Sequence, residues 1–350
     1  MLLDIGILLV TLLGSANAVH GYSPLYRACS YNRCIYYAQI VQQSTSSSQT
    51  AAYLYQRCRC SAYGVPLYTR PSTQTTSTPV NNQASTIPVS PSQCGTSSIT
   101  GSAATYLSNQ RERIVGGVNT QECEFPWAVL VTADGSQCGG SIIDSTHIVT
   151  AAHCMVNGNS IKQASSVRVG AGSSNRNNLR YYNVRTVSVH PSYNPSTFEN
   201  DAAVLTLQSP LPTNNPCIKP ICLPSTRLNV QTGTKCTVAG WGLTQEFSGF
   251  APSALQEATV PIFNKDTCRQ AYGSNIITDV KICAGFQNGG IDACKGDSGG
   301  PLMCAEGDNW VLTGIVSFGN GCAVPNYPGV YAYVPNLKNW IESITNGIGK

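Results

Sequence analysis

The last two thirds of this 350-residue sequence predict an all-β domain of many short strands, ended by one helix. Three observations carry that prediction. Only 11% of residues are charged, while Gly (32) and Pro (20) are abundant, a balance that suits a turn-rich β protein. Short β-branched runs such as "SIIDSTHIVTAAHC", "AAVLTLQ", "KCTVAGWG" and "WVLTGIVSFG" alternate with Gly, Pro and Asn turns from residue 114 onward. Near the end, "PNLKNWIESI" spaces Leu337, Trp340, Ile341 and Ile344 as a helix does.

Ahead of that domain the texture differs. Residues 1–18 form an apolar run ending in Ala16-Asn17-Ala18, an A-x-A cleavage pattern that gives a mature start at Val19. The run carries Asp4 and no Lys or Arg, yet it is too short to span a bilayer, so a secreted protein is expected. Residues 19–68 carry Cys29, Cys34, Cys58 and Cys60, and four cysteines allow three pairings. So short a module would rely on two disulfide staples, because it cannot bury much core. Residues 69–113 are dominated by Ser, Thr, Pro, Gln and Asn, a linker composition too poor in large apolar residues to fold alone. The net charge of +4 gives no reason to propose nucleic acid as a partner. Sixteen cysteines behind an export signal imply disulfides, and the four histidines are not spaced with cysteines as zinc ligands.

The linker ends in "NQRERIVGG", where Arg111 and Arg113 stand just before what reads like a second beginning, Ile114-Val115-Gly116-Gly117. Beyond it, three fragments carry candidate chemistry: "TAAHC" with His153, "ENDAAVL" with Asp201, and "DACKGDSGGPL" with Ser298. Singly, each has a bland reading as a packed histidine, a turn cap and a flexible loop. Together they supply what a hydroxyl nucleophile needs. A serine attacks poorly until a base takes its proton, and a neutral histidine suits that role near pH 7. A buried carboxylate fixes the histidine tautomer. Glycines beside the serine let backbone N–H groups approach a developing oxyanion, each donor being worth about 3–4 kcal/mol.

With "RIVGG", "CGGSII", "TAAHC", "ENDAAVL", "CTVAGWG", "CKGDSGGPL", "VSFG" and "YPGVYAYV" in this order, residues 114–350 resemble a complete chymotrypsin-family serine endopeptidase of trypsin-like type. The resemblance implies two packed six-stranded Greek-key β-barrels with a C-terminal helix and no cofactor. It makes His153 the general base, Asp201 its orienter and Ser298 the nucleophile, with an oxyanion hole from Gly296 and Ser298. It implies cleavage between Arg113 and Ile114, freeing an ammonium that pairs with Asp297. Asp292 falls at the floor of the primary specificity pocket, where an acid calls for Arg or Lys before the scissile bond. Gly319 and Gly329 match pocket-wall glycines, and Ser317, Phe318 and Gly319 would line the substrate backbone. Phe318 stands where the family usually has tryptophan. An inert homologue serving as a binding protein is the competing class, but every triad position is intact.

The same resemblance implies the bridges Cys138–Cys154, Cys236–Cys304, Cys268–Cys283 and Cys294–Cys322, with Cys94 paired to Cys222 so that the N-terminal region stays attached. Cys123 and Cys217 remain, and counting alone pairs them. Implied partners are protein or peptide substrates, an Arg-specific activating protease, and inhibitors of serpin or Kunitz type. No Asp or Glu occurs between Asp144 and Glu199, while Lys162, Arg168, Arg176, Arg180 and Arg185 fall inside that span. Calcium needs carboxylate oxygens, so none is expected to bind there. The basic stretch reads first as a solvated face, and second as a surface for an acidic partner.

Overall fold

A computed structural model describes residues 94–109, 117–158, 160–212, 214–225, 228–244 and 251–345. The chain divides into two units, Met1–Ile87 and Pro88–Lys350, and every described residue lies in the second. The leader, Cys29, Cys34, Cys58, Cys60, Arg113 and Ile114 lie outside the described residues.

In chain order the strands are β1 (Val118–Asn119), β2 (Ala128–Ala133), β3 (Ser136–Ile142), β4 (His147–Thr150), β5 (Val156–Asn157), β6 (Ser160–Ile161), β7 (Val167–Ala171), β8 (Arg180–Val189) and β9 (Ala203–Leu207). They continue as β10 (Lys235–Gly240), β11 (Gln256–Pro261), β12 (Lys281–Ala284), β13 (Pro301–Glu306), β14 (Asn309–Phe318) and β15 (Gly329–Tyr333). The helices are α1 (Ala103–Asn109), α2 (Ala152–Met155), α3 (Lys265–Tyr272) and α4 (Val334–Ile344).

The first barrel closes in the order β2-β3-β4-β9-β8-β7. Strand β8 shows why these sequences become barrel walls: Tyr182 and Val184 point inward while Tyr181, Asn183 and Arg185 face water, the period of two that a half-buried strand requires. The second sheet runs β1-β11-β10-β13-β14-β15-β12. A single bridge between Ile262, just past β11, and Ala284 of β12 brings its ends together, so β10 to β15 curl into a second, less completely closed barrel. The fully buried Trp127 donates from Nε1 to Met303 Sδ of the second barrel at 2.8 Å, and Trp241 donates back to the Ser174 carbonyl at 3.2 Å. Each such side chain buried contributes about 1.5–3 kcal/mol.

Helix α4 forms where the spacing predicted one. Leu337 and Ile341 are buried one turn apart, and Lys338 pairs with Glu342 at 3.5 Å. The structure joins Cys94 to Cys222, Cys123 to Cys217, Cys138 to Cys154, Cys236 to Cys304, Cys268 to Cys283 and Cys294 to Cys322.

The composition of residues 69–113 gave no sign of α1, which lies in its last part. A seven-residue helix is unstable alone, so its stability must come from docking. Ala103 and Leu107 are buried, and Tyr106 stands edge-on to Trp310 at 5.4 Å. Its hydroxyl donates to Glu257 Oε2 at 2.5 Å and lies 3.3 Å from Glu124 Oε1. Both carboxylates are buried. Tyr106→Phe removes their shared donor and should lower unfolding stability by about 1–3 kcal/mol, read by denaturant titration of the intact chain. An unchanged midpoint would show that the docked helix contributes nothing through this bond.

Candidate active site

Each candidate side chain is delivered by a different element, and the elements meet where the barrels touch. His153 sits on α2, pinned to β3 by the Cys138–Cys154 disulfide. Asp201 precedes β9 and is fully buried. Its Oδ2 faces His153 Nδ1 at 2.7 Å, while Oδ1 accepts the His153 backbone N–H at 2.9 Å. Ser317 Oγ, on β14 of the second barrel, donates to Oδ2 at 2.5 Å. Three donors thus converge on one carboxylate, which is what a buried charge needs. With a carboxylate against Nδ1, the ring proton belongs there, and Nε2 keeps its lone pair.

Ser298 belongs to the loop between β12 and β13. This loop lies against β3: Gly139 N donates to the Ser298 carbonyl at 2.7 Å. Gly299 makes that approach possible. Its φ is +82°, and a Cβ there would overlap Thr150 Oγ1 and lie 2.7 Å from the Gly139 carbonyl. The "GDSGG" and "CGGS" motifs are therefore one close contact seen from two sides. Among the described residues no carbonyl accepts the N–H of Gly296 or of Ser298, whereas the N–H of Asp297 bonds to the Cys294 carbonyl at 3.0 Å and that of Gly299 to Val316 at 2.8 Å. Ser298 Oγ makes no hydrogen bond to His153 Nε2 among the described residues, as is common before substrate tightens such a site.

A cavity of ≈ 190 Å³ joins Ser298 to Asp292 and is also lined by Ser317, Phe318, Gly319 and Gly329. The Asp292 carboxylate accepts Ala293 N at 2.8 Å, and burial pushes its pKa up to about 7. A Cβ at Gly329 would overlap this carboxylate, so the wall must be glycine for the acid to face the cavity. A second cavity of ≈ 490 Å³ extends from Gly117 to Asp297. Asp297 accepts Gly242 N at 2.7 Å and Cys294 N at 2.9 Å, and burial pushes it up to about 6.

Residues 114–341 match the Trypsin family. This chain belongs to that family of trypsin-like serine proteases. Among curated proteins, the protease segment is 42% identical over 235 residues to "Transmembrane protease serine 7" of Rattus norvegicus and 41% identical over 240 residues to the Homo sapiens protein of that name. It is 38% identical over 235 residues to "Transmembrane protease serine 5" of Homo sapiens. These matches cover 66–67% of this chain but only 28% and 51% of the relatives' own lengths. Among the described residues, no helix of this protease is long and apolar enough to cross a membrane.

Two features of the protease site escaped the sequence. Ser317, which lines the cavity beside Ser298, also bonds Asp201 through its hydroxyl. Phe198 stands edge-on to His153 at 5.6 Å and packs on Phe318 at 5.2 Å, forming an aromatic wall that continues to Tyr272. Nothing local marks Phe198 as other than a core aromatic. Only its place three residues before Asp201 would have pointed to it.

Proposed function

We propose that this protease is exported as a zymogen and, once cut between Arg113 and Ile114, hydrolyses peptide bonds after Arg or Lys. Ser298 attacks the carbonyl, His153 Nε2 takes its proton, Asp201 holds the resulting imidazolium, and the amides of Gly296 and Ser298 receive the oxyanion. Collapse expels the amine, protonated by His153, and leaves an acyl-enzyme that water opens by the reverse path. The observation that carries the specificity is the cavity with Ser298 at one part of its lining and a half-buried acid, Asp292, at another. An acid in a narrow slot calls for a cationic side chain.

The activation half rests on the larger cavity. Gly117, which lines it beside Asp297, is three residues from Ile114, a reach of at most about 11 Å. An α-amine normally titrates near 7.7–8.0, and the Asp297 carboxylate raises that value. The pair's contribution is fully present below the amine's ordinary pKa and is lost as pH rises through the raised one. The cleaved enzyme should therefore lose activity reversibly at alkaline pH. A flat activity profile through that range would remove the ammonium from the account.

Six disulfides among the described cysteines support work in an oxidising, extracellular setting. The Cys94–Cys222 bridge and the docked α1 would keep the N-terminal region attached after cleavage. That region, with its module at 19–68, suits localised action rather than bulk digestion, in line with relatives named as transmembrane proteases. The test is hydrolysis of small Arg-, Lys- and Phe-amide substrates before and after controlled cleavage at Arg113, with Ser298→Ala alongside. Activity that follows cleavage, prefers Arg or Lys and vanishes in the variant supports the reading. Inertness after verified cleavage would favour a binding protein on a protease fold.

A further inference from the structure

The turn that carries Asp201 to His153 is strained, and it is held from the other barrel. Phe198 and Asn200 both have φ of 53°, the left-handed region, which asparagine tolerates and phenylalanine avoids. Such conformations persist only where their surroundings over-determine them. Within the first barrel the turn is held by Asn194 N donating to the Glu199 carbonyl at 3.0 Å, Asn200 Nδ2 to the Ser192 carbonyl at 3.0 Å and Ala202 N to the Asn200 carbonyl at 2.8 Å, none of which engages the Glu199 side chain.

The residue between Phe198 and Asn200 reaches across. The Glu199 carboxylate accepts Lys281 Nζ at 2.7 Å and Thr278 Oγ1 at 2.9 Å, both from the second barrel. Lys281 is 2% exposed, and its ammonium also donates to the Ile276 carbonyl at 2.7 Å. A buried ammonium needs such partners, so the position of Glu199 is dictated by the second barrel. On either side of Glu199 lie groups that touch the reacting centre: Phe198 against His153, and Asp201 bonded to it.

We propose that Glu199 and Lys281 are positioning residues. Their ion pair acts beside the direct Ser317–Asp201 bond to set the Asp201–His153 geometry from the second barrel, where Ser298 also resides. This rests on the catalytic reading of His153, Asp201 and Ser298. The competing role is structural, a pair that only seals the barrel interface.

The charge-balanced double variant Glu199→Gln/Lys281→Met separates the two, because it removes the tie without leaving a lone charge near Asp201. It would be made in the full chain, cleaved at Arg113, and assayed on an Arg-amide substrate well below its melting point. Rates are expressed per site titrated with a fluorophosphonate. Positioning predicts a kcat loss of about 10- to 100-fold with KM within about threefold of the parent. It also predicts a displaced acid limb in the kcat/KM profile, since that limb reports the base whose support has moved. A kcat within about twofold of the parent and an unmoved limb would overturn the proposal and leave a purely structural pair. Where the double variant does not fold, Glu199→Gln alone is read on kcat and KM only, because the Lys281 ammonium it leaves unpaired would itself move the acid limb. Asp201→Asn is run beside them: parent-like activity in that control would sink the triad itself, whatever the pair variants do.

Discussion

Asp201→Asn should lower kcat by about 10⁴-fold, the usual loss for this constellation, while leaving KM near its parent value. The reason lies in what faces His153 Nδ1. The carboxylate presents only acceptors, so Nδ1 carries the proton and Nε2 stays basic. An amide in the same place can present its NH₂ group to Nδ1, which moves the ring proton to Nε2 and leaves nothing to deprotonate Ser298. The shape barely changes: the His153 backbone N–H still donates to the amide oxygen at the Oδ1 position, while Ser317 Oγ, which faces the Oδ2 position, can accept from the NH₂ group instead. A fall in kcat and kcat/KM together marks an interaction made in the transition state. Steady-state kinetics on titrated sites check it, and a loss under about tenfold would mean that Asp201 does not set the tautomer.

Asp292→Ala should cost about 10²- to 10⁴-fold in kcat/KM on Arg substrates, because a guanidinium buried without its counter-charge loses about 3–5 kcal/mol. Phe substrates lack the charge and should be spared. The acid also gives a pH signature. With the cavity empty its carboxyl sits at about 7, raised first by burial. An aryl amidine such as benzamidine binds the ionised form, so its affinity is full above that pH. It falls by about tenfold per unit as pH drops below it, until the carboxyl of the complex itself protonates. The alanine variant should bind weakly at every pH. Equal pH dependence in both proteins would assign the titration to another group.

The sequence made the chemistry legible because motif residues act through backbone that their own neighbours shape. "GDSGG" needs its glycines for the approach to β3, and "TAAHC" carries the cysteine that pins its histidine. The terminal helix was legible through the spacing of Leu337 and Ile341. What was not legible depends on partners far along the chain. Helix α1 exists because Trp310, Glu124 and Glu257 receive it, and nothing in "AATYLSN" announces them. Glu199 and Lys281 lie on different barrels, and in sequence each is an ordinary charge.

The basic stretch shows the opposite limit. A run of like charges suggested one face, yet the structure sends its members different ways. Lys162 donates to the Ala133 carbonyl, Arg176 bonds Gln137, and Arg168 and Arg180 lie over the rings of Tyr181 and Tyr182. Strand alternation and turns disperse what the sequence shows as contiguous.

The measurement that tests the central claim most directly is mass analysis of the full chain after exposure to a fluorophosphonate, before and after cleavage at Arg113. The account predicts one adduct, mapped to Ser298, formed rapidly only in the cleaved protein and absent from His153→Ala. An inert Ser298 in the cleaved chain, or equal labelling without cleavage, would contradict it.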